Sequence, residues 1–393
     1  MMPALANQEK LVVHQMDVKA AFLHGKLTED IFMRQPKGFE EGNKVCKLNK
    51  LLYGLKQASK TWNDRFNKFV ASIGFRRCTE DSCLYVRQNV SQIEVVKRML
   101  QREFSMVDLG EAQMFLGIKI ERNIGKGVMK LSQPSYAEAV LRRFGMETCK
   151  PASTPMCANL QLQRPEGDQK LDKPYRELIG CLTYLMVTSR PDLSSAVSYF
   201  SQFQCNPSQE HWSHLKRLLR YVRGTTQYGL IYRRQEQAEQ IVGFADANWA
   251  TDQGDRHSVS GYVFQVYGAT TSWSTKKQRT IALSSTESEC SALADCICES
   301  LWISKLFEEI GVRDQRPVVI YADNQSAIAV AESTAPSRKL KHSDVKLQFI
   351  KECVANRNIS LKYKASGDQP ADLMTKGLPL ASFKKHCCNL GVQ

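Results

Sequence analysis

Two apolar runs that each end in a carboxylate constrain this chain more than any other feature. In "VGFADANWA" (242–250) the run Ile241–Ala245 stops at Asp246. In "VVIYADNQSA" (318–327) the same arrangement stops at Asp323. Short apolar runs bounded by polar residues predict buried strands. Aspartate is depleted in strands and is almost never buried unless paired. One such Asp is compatible with a turn; two direct a search for further carboxylates and a metal.

The third candidate lies in "LSSTESECSALADCICESLWISKLFEEIG", whose period predicts a helix over 286–310. Ser284 or Thr286 can cap it, with Glu287 or Glu289 as the reciprocal capping residue. Glu289 shares a stripe with Ala292, Leu293, Cys296 and Ile297, which is the inward face; Glu287 phases with Cys290, Ser291 and Asp295. A carboxylate at the head of an apolar stripe is costly without a partner, so Glu289 is assigned to the cluster. A plain capping role is the alternative. The fourth is Asp372, in the first turn of a short helix after Pro370, where a dipole-favoured Asp is the ordinary reading. Together the four oxygen donors suit Mg²⁺ or Mn²⁺. Two such ions about 4 Å apart activate a water and stabilise the leaving oxygen of a phosphodiester.

The charge balance points the same way. There are 54 Lys+Arg against 40 Asp+Glu, giving +14, which favours polyanionic partners over a neutral surface role. The basic residues cluster in "HLKRLLRYVRG" (Lys216, Arg217, Arg220, Arg223), in "STKKQR" (Lys276, Lys277, Arg279) and in "SRKLKHSDVK". The first two groups are expected to contact phosphates with strong salt dependence. Trp249, Trp273 and Trp302 are expected in the core, with base stacking as the alternative for Trp249. The 13 cysteines are scattered without a Cys-x-x-Cys pair, which argues against zinc ribbons and for a reducing compartment. No apolar run nears the roughly 18 residues of a membrane span, and no signal peptide is evident. An intracellular location, cytoplasmic or nuclear, is expected.

The periods predict helices in 53–75 and 93–106. Two strands and a helix follow, with Gly125 and Gly127 in the strand turn. "CKPASTPMCANLQLQRPEGDQK" (149–170) is a linker or strap. Two helices come next, the second ending near Gly224. From about 229 to 376 an α/β unit is predicted, with strands at 229–234, 241–246 and 260–267 and then a short one. The long helix, a strand at 317–323, helices, a strand at 358–363 and a last helix complete it.

At this point the chain resembles a known family. "VGFADANWATD", "SVSGYVF", "TSWSTKKQRTIALSSTESECSALAD", "VVIYADNQSAIAVA", "RKLKHSDVKLQFIKE" and "QPADLMTKGLP" resemble the ribonuclease H domain of copia-type LTR retrotransposons. "QMDVKAAFLHGKLTEDIFMRQPKGF", "VCKLNKLLYGLKQASKTWNDRF", "FSMVDLGEAQMFLGIKIER" and "RPDLSSAVSYFSQF" resemble the reverse transcriptase of the same polyprotein. The resemblance places Asp246, Glu289, Asp323 and Asp372 on the metal-binding positions. It implies two Mg²⁺ or Mn²⁺ ions, an RNA–DNA hybrid as partner and endonucleolytic hydrolysis of its RNA strand. Asp17 matches one polymerase carboxylate, and Gly54 and Gln57 match the segment near template and nucleotide. His342 in "KLKHSDVK" is a candidate auxiliary residue, with a surface role as the alternative.

The Tyr-x-Asp-Asp hairpin that would supply the other polymerase carboxylates is absent. "DSCLYVRQNVSQIEVVKRML" runs straight through its place, and no Asp-Asp pair occurs anywhere. DNA polymerisation is therefore expected to be lost, and the region around 83–93 to be poorly packed or rearranged. The expected fold class is mixed α/β: an incomplete palm-type region, then a five-stranded mixed sheet flanked by helices. The expected boundaries are 1–148 for the partial reverse transcriptase, 149–228 for a helical connection, 229–378 for the ribonuclease H-like domain and 379–393 for a tail. A catalytically idle remnant that only binds nucleic acid is the competing reading.

Overall fold

The structure, a computed structural model, describes residues 1–25, 27–87, 92–165, 167, 171–252, 254–312, 316–333 and 344–393. It divides into two compact units. One comprises Met1–Val12, Gln113–Ser304 and Asp314–Gln393; the other comprises Val13–Ala112 and Lys305–Arg313. No helix of the described residues is long and apolar enough to cross a membrane.

The larger unit holds the five-stranded mixed sheet. Its strands are β1 (Ile241–Asn248), β2 (Val259–Val266), β3 (Ala269–Lys277), β4 (Val318–Ala322) and β5 (Ile359–Tyr363), in spatial order β3-β2-β1-β4-β5. β1, β2 and β3 are antiparallel neighbours, whereas β4 runs parallel to β1 and β5 parallel to β4. The central strand β1 is buried almost throughout, as a strand covered on both faces must be. Gly243 lets it lie close to its neighbours. A Cβ there would stand 2.8 Å from the Phe264 ring and 3.1 Å from Ile320 Cγ1. The predicted short strand is the nine-residue β3.

The strand at Gly229–Arg233 departs from the expected place. It pairs antiparallel with Val128–Ser132 in a second, four-stranded sheet that continues through Ile118–Asn123 to Met114–Phe115. Periodicity gives a strand's existence but not its neighbour, and the choice is tertiary. Gly229 is what allows the close approach, since a Cβ there would sit 2.2 Å from the Leu131 carbonyl oxygen. The last helix, Leu380–Asn389, buries Phe383, His386 and Cys387.

Between Val128–Ser132 and Gly229–Arg233 in sequence lie helices Tyr175–Thr188, Ser194–Ser201 and Gln209–Gly224. Ser208 caps the last of these in a capping box with His211. They surround Arg190 and Asp192, both of which are buried.

The smaller unit has short elements. His14–Val18 pairs with Met106–Glu111, Phe32–Arg34 with Val45–Lys47, and Arg76–Arg77 with Tyr85–Val86. Helix Ala58–Ser72 packs Trp62, Phe66 and Phe69 around the buried Phe104, with ring centroids 5.1–5.9 Å apart. The predicted 53–75 helix is therefore shorter than its periodicity. Gly54 has φ +96° in a turn and Gln57 stands at the N-cap, which stops the helix short of them. Of the 83–93 stretch, Tyr85 and Val86 are half-buried and paired, while 88–91 lie outside the described residues.

Candidate metal centre

β1 and β4 are parallel neighbours with Phe244 opposite Tyr321, and their rings stack at 5.5 Å. Side chains two residues apart in a strand share a face. Asp246 and Asp323 therefore leave adjacent strands at the same level and on the same side. Their position at the carboxyl ends of adjacent parallel strands is where open α/β sheets bind ligands.

Glu289 reaches the same point from the first turns of helix Ser285–Glu309. The capping ambiguity resolves locally. The Glu287 N–H donates to Ser284 Oγ at 3.2 Å, and the Glu287 carboxylate accepts from the Leu283 N–H at 2.8 Å. Glu287 is thus consumed at the helix start and Glu289 is left to turn inward. One Glu289 oxygen accepts from the Ala247 N–H at 3.3 Å; the other, Oε2, is buried with no hydrogen-bond partner among the described residues. Asp246, Glu289 and Asp323 each offer an oxygen, all within 4.8 Å of one another.

Asp372 approaches from the one-turn helix Asp372–Thr375, which is pressed against β2. Gly261 makes this possible, because a Cβ there would meet Met374 Cβ at 2.6 Å and Thr375 Cγ2 at 2.7 Å. Asp372 is buried but stands outside the three-carboxylate group, ion-paired to Lys376 Nζ at 2.9 Å. The same ammonium lies 3.8 Å from Asp246, and the Thr375 hydroxyl donates to Asp246.

Burial and mutual repulsion govern the electrostatics. Burial, then Asp246 and Asp323, push the Glu289 carboxyl up to about 9. Burial raises Asp246 against the opposing pull of Lys376 and Thr375. Burial and Asp246 push Asp372 up to about 7, with Lys376 again opposing. Close carboxylates that cannot all ionise alone form a site for a hard cation, and the orphaned Glu289 oxygen is a donor awaiting one. The donor set fits a divalent metal.

A stability prediction follows from these shifts. In the unfolded chain Glu289 ionises near its ordinary 4.5, whereas in the folded chain it keeps its proton to about 9. The folded state therefore binds more protons between these values, so stability falls as pH rises through that window. Asp246, Asp323 and Lys376 are the charged groups that set this shift. Thermal melts in chelator are expected to drop between about pH 5 and about pH 9, and Glu289→Gln to flatten that fall and melt higher at its alkaline end. An unchanged slope in the variant would contradict the assignment.

The remaining candidates fall in several places. Asp17 is exposed on the His14–Val18 strand. Among the described residues it belongs to no group of three metal-ligating side chains. Arg217 donates to Thr154 Oγ1, Arg220 to the Lys150 carbonyl and Arg223 to the Glu147 carbonyl. These three fasten the 147–154 segment to the helix. Lys216 is half-buried, and Lys276 and Arg279 are exposed. Lys277 is ion-paired to Asp252 and Asp255. Trp249 is 47% exposed, with its indole N–H on the Ala282 carbonyl, so it is not a core residue. His342 lies outside the described residues. Sequence reading did not single out Lys376, Thr375 or Gln369. Gln369 donates to the carbonyls of Ala245 and Tyr321, clipping the two Asp-bearing strands together. The i,i+4 spacing of Asp372 and Lys376 was a readable signal; nothing local marked Gln369.

The sheet order and the carboxylates at its edge define a ribonuclease H-like fold within a mixed α/β chain. The family model for reverse transcriptase (RNA-dependent DNA polymerase) matches residues 1–92 and 81–158, two pieces that overlap at 81–92. The chain is 37% identical to the retrovirus-related Pol polyprotein from transposon TNT 1-94 of Nicotiana tabacum, over 97% of this chain and 31% of that protein. It is 33% identical to a putative Ty5-1 transposon protein of Saccharomyces cerevisiae, over 72% of this chain and 100% of that protein. The chain belongs to the copia-type retrotransposon Pol family. It spans less than a third of the Nicotiana polyprotein. A solved structure of LC11-RNase H1 in complex with RNA/DNA hybrid is similar at 15% identity, with TM-score 0.26, over 34% of this chain and 93% of that one.

Proposed function

We propose that this chain hydrolyses the RNA strand of RNA–DNA hybrids with divalent metal, and that it does not polymerise DNA. One observation carries the reading: three carboxylates from three separate elements present oxygens within 4.8 Å of one another, one of them buried and unpartnered. Asp246, Glu289 and Asp323 would hold the metal, Mg²⁺ or Mn²⁺. Such an ion supplies charge stabilisation to a phosphodiester oxygen and activation of water.

The chain's own groups then have distinct tasks. The Ala247 N–H and the Thr375 hydroxyl orient Glu289 and Asp246. Gln369 fixes the spacing of the two strands. Lys276 and Arg279, which are exposed, and the half-buried Lys216 would meet phosphates. Selection of a hybrid would rest on duplex shape and 2′-hydroxyl contacts rather than base edges. The test is cleavage of an end-labelled hybrid with Mg²⁺. Binding without cleavage would leave a nucleic-acid-binding remnant.

The polymerase half lacks the means for its chemistry. Phosphoryl transfer to a primer end needs metals clamped by more than one carboxylate, and among the described residues Asp17 belongs to no group of three metal-ligating side chains. On a primed template with all four dNTPs, no incorporation above the protein-free control is expected. Template-dependent incorporation by the purified chain would overturn this half of the reading.

A further inference from the structure

The fourth carboxylate stands outside the group of three and is ion-paired to a lysine. Asp372 lies outside the Asp246–Glu289–Asp323 group. The Lys376 ammonium lies 2.9 Å from it and 3.8 Å from Asp246, so one cation serves both carboxylates. Lys376 follows Asp372 by one helical turn, so its side chain returns over the residue it neutralises. Its backbone is closely confined. On one side Gly261 lets the short helix lie against β2. On the other, a Cβ on Gly377 would stand 2.7 Å from the Cys157 carbonyl oxygen. The backbone is thus fixed, while the flexible four-carbon stem leaves the ammonium free to swing.

We infer that Lys376 is a built-in cation for this site, a positioning residue that occupies by charge the place a second divalent ion would take between Asp246 and Asp372. The inference rests on the ribonuclease H reading above. The three-carboxylate group then loads one ion more readily, because its Glu289 Oε2 has no hydrogen-bond partner among the described residues and Lys376 pairs more closely with Asp372 than with Asp246. A second ion has to displace the ammonium from Asp372 and Asp246, and its binding is weakened by whatever that displacement costs. No bond is made or broken; one cation is exchanged for another. Lys376 also lines a cleft of about 300 Å³ with Asn248, Tyr199, Gln202 and Lys277, and this gives the displaced side chain somewhere to go.

The test is Mn²⁺ binding to the full chain without nucleic acid, followed by calorimetry and by loss of the free-ion electron paramagnetic resonance signal. The wild type is expected to take one ion, with a second weaker by about tenfold or more. Lys376→Met removes the charge and keeps the stem, and is expected to tighten the second site by about tenfold or more. Lys376→Arg keeps a cation and is expected to leave the second site weak. Circular dichroism melts establish that each variant is folded. Identical second-site binding in the wild type and folded Lys376→Met overturns the inference. Failure of the underlying reading looks different: Asp246→Asn would then leave even the first ion in place.

Discussion

Asp246→Asn and Asp323→Asn are each expected to abolish Mg²⁺-dependent hybrid cleavage, by about a thousandfold or more, while the protein stays folded and still binds the hybrid. The size follows from what these groups do. Each removes one of three carboxyl groups whose oxygens lie within 4.8 Å of one another. Neither removes packing volume, since Asn and Asp are nearly isosteric. The measurement is the rate of product appearance from an end-labelled hybrid under single-turnover conditions, with salt-dependent binding measured in parallel. Loss of cleavage with binding intact separates the metal centre from the basic surface. Retention of wild-type cleavage by either variant would remove the carboxylate group from the mechanism altogether.

The second large effect concerns stability. Asp192→Ala is expected to destabilise the chain by about 3–5 kcal/mol, because it leaves a buried guanidinium without its counter-charge. Arg190 is 1% exposed. It donates to Asp192 from Nε at 2.9 Å and from Nη2 at 2.7 Å, and to the Thr225 carbonyl at 2.9 Å and hydroxyl at 2.8 Å. The Tyr221 hydroxyl donates to the same Asp192 at 2.7 Å. Burial opposes the Arg190 charge, and Asp192 more than offsets it, holding the guanidinium ionised. This network ties the turn at 190–192 to the end of the Gln209–Gly224 helix. Replacing both partners with apolar residues, Arg190→Met with Asp192→Leu, is expected to cost far less than the single change, since no unpaired charge remains. Urea denaturation of the two variants decides it: equal losses would mean that lost volume, not an orphaned charge, sets the cost.

Much of the carboxylate group was legible in the sequence. Asp246 and Asp323 announce themselves because a carboxylate at the end of a buried strand has few structural uses. Glu289 could be separated from Glu287 by phase alone, and the capping contacts at Ser284 and Leu283 agree with that choice. The strand at 229–233 was visible as a strand but not as a member of the four-stranded sheet. The arginines of 217–223 were visible as charge, but their ties to 147–154 were not, because a sequence records a charge without its partner.

What the sequence determined by itself is therefore the inventory: which residues form strands and helices, where the carboxylates stand along them, and that no Asp-Asp pair occurs. These follow from local periodicity and residue chemistry. What only the tertiary structure decided is which groups meet. Lys376 closes on Asp246 across 130 residues of chain, and Gln369 clips two strands whose carbonyls it meets 124 and 48 residues away. Such contacts depend on strand order and on glycines that let backbones approach, and no local pattern encodes a distance between segments that far apart.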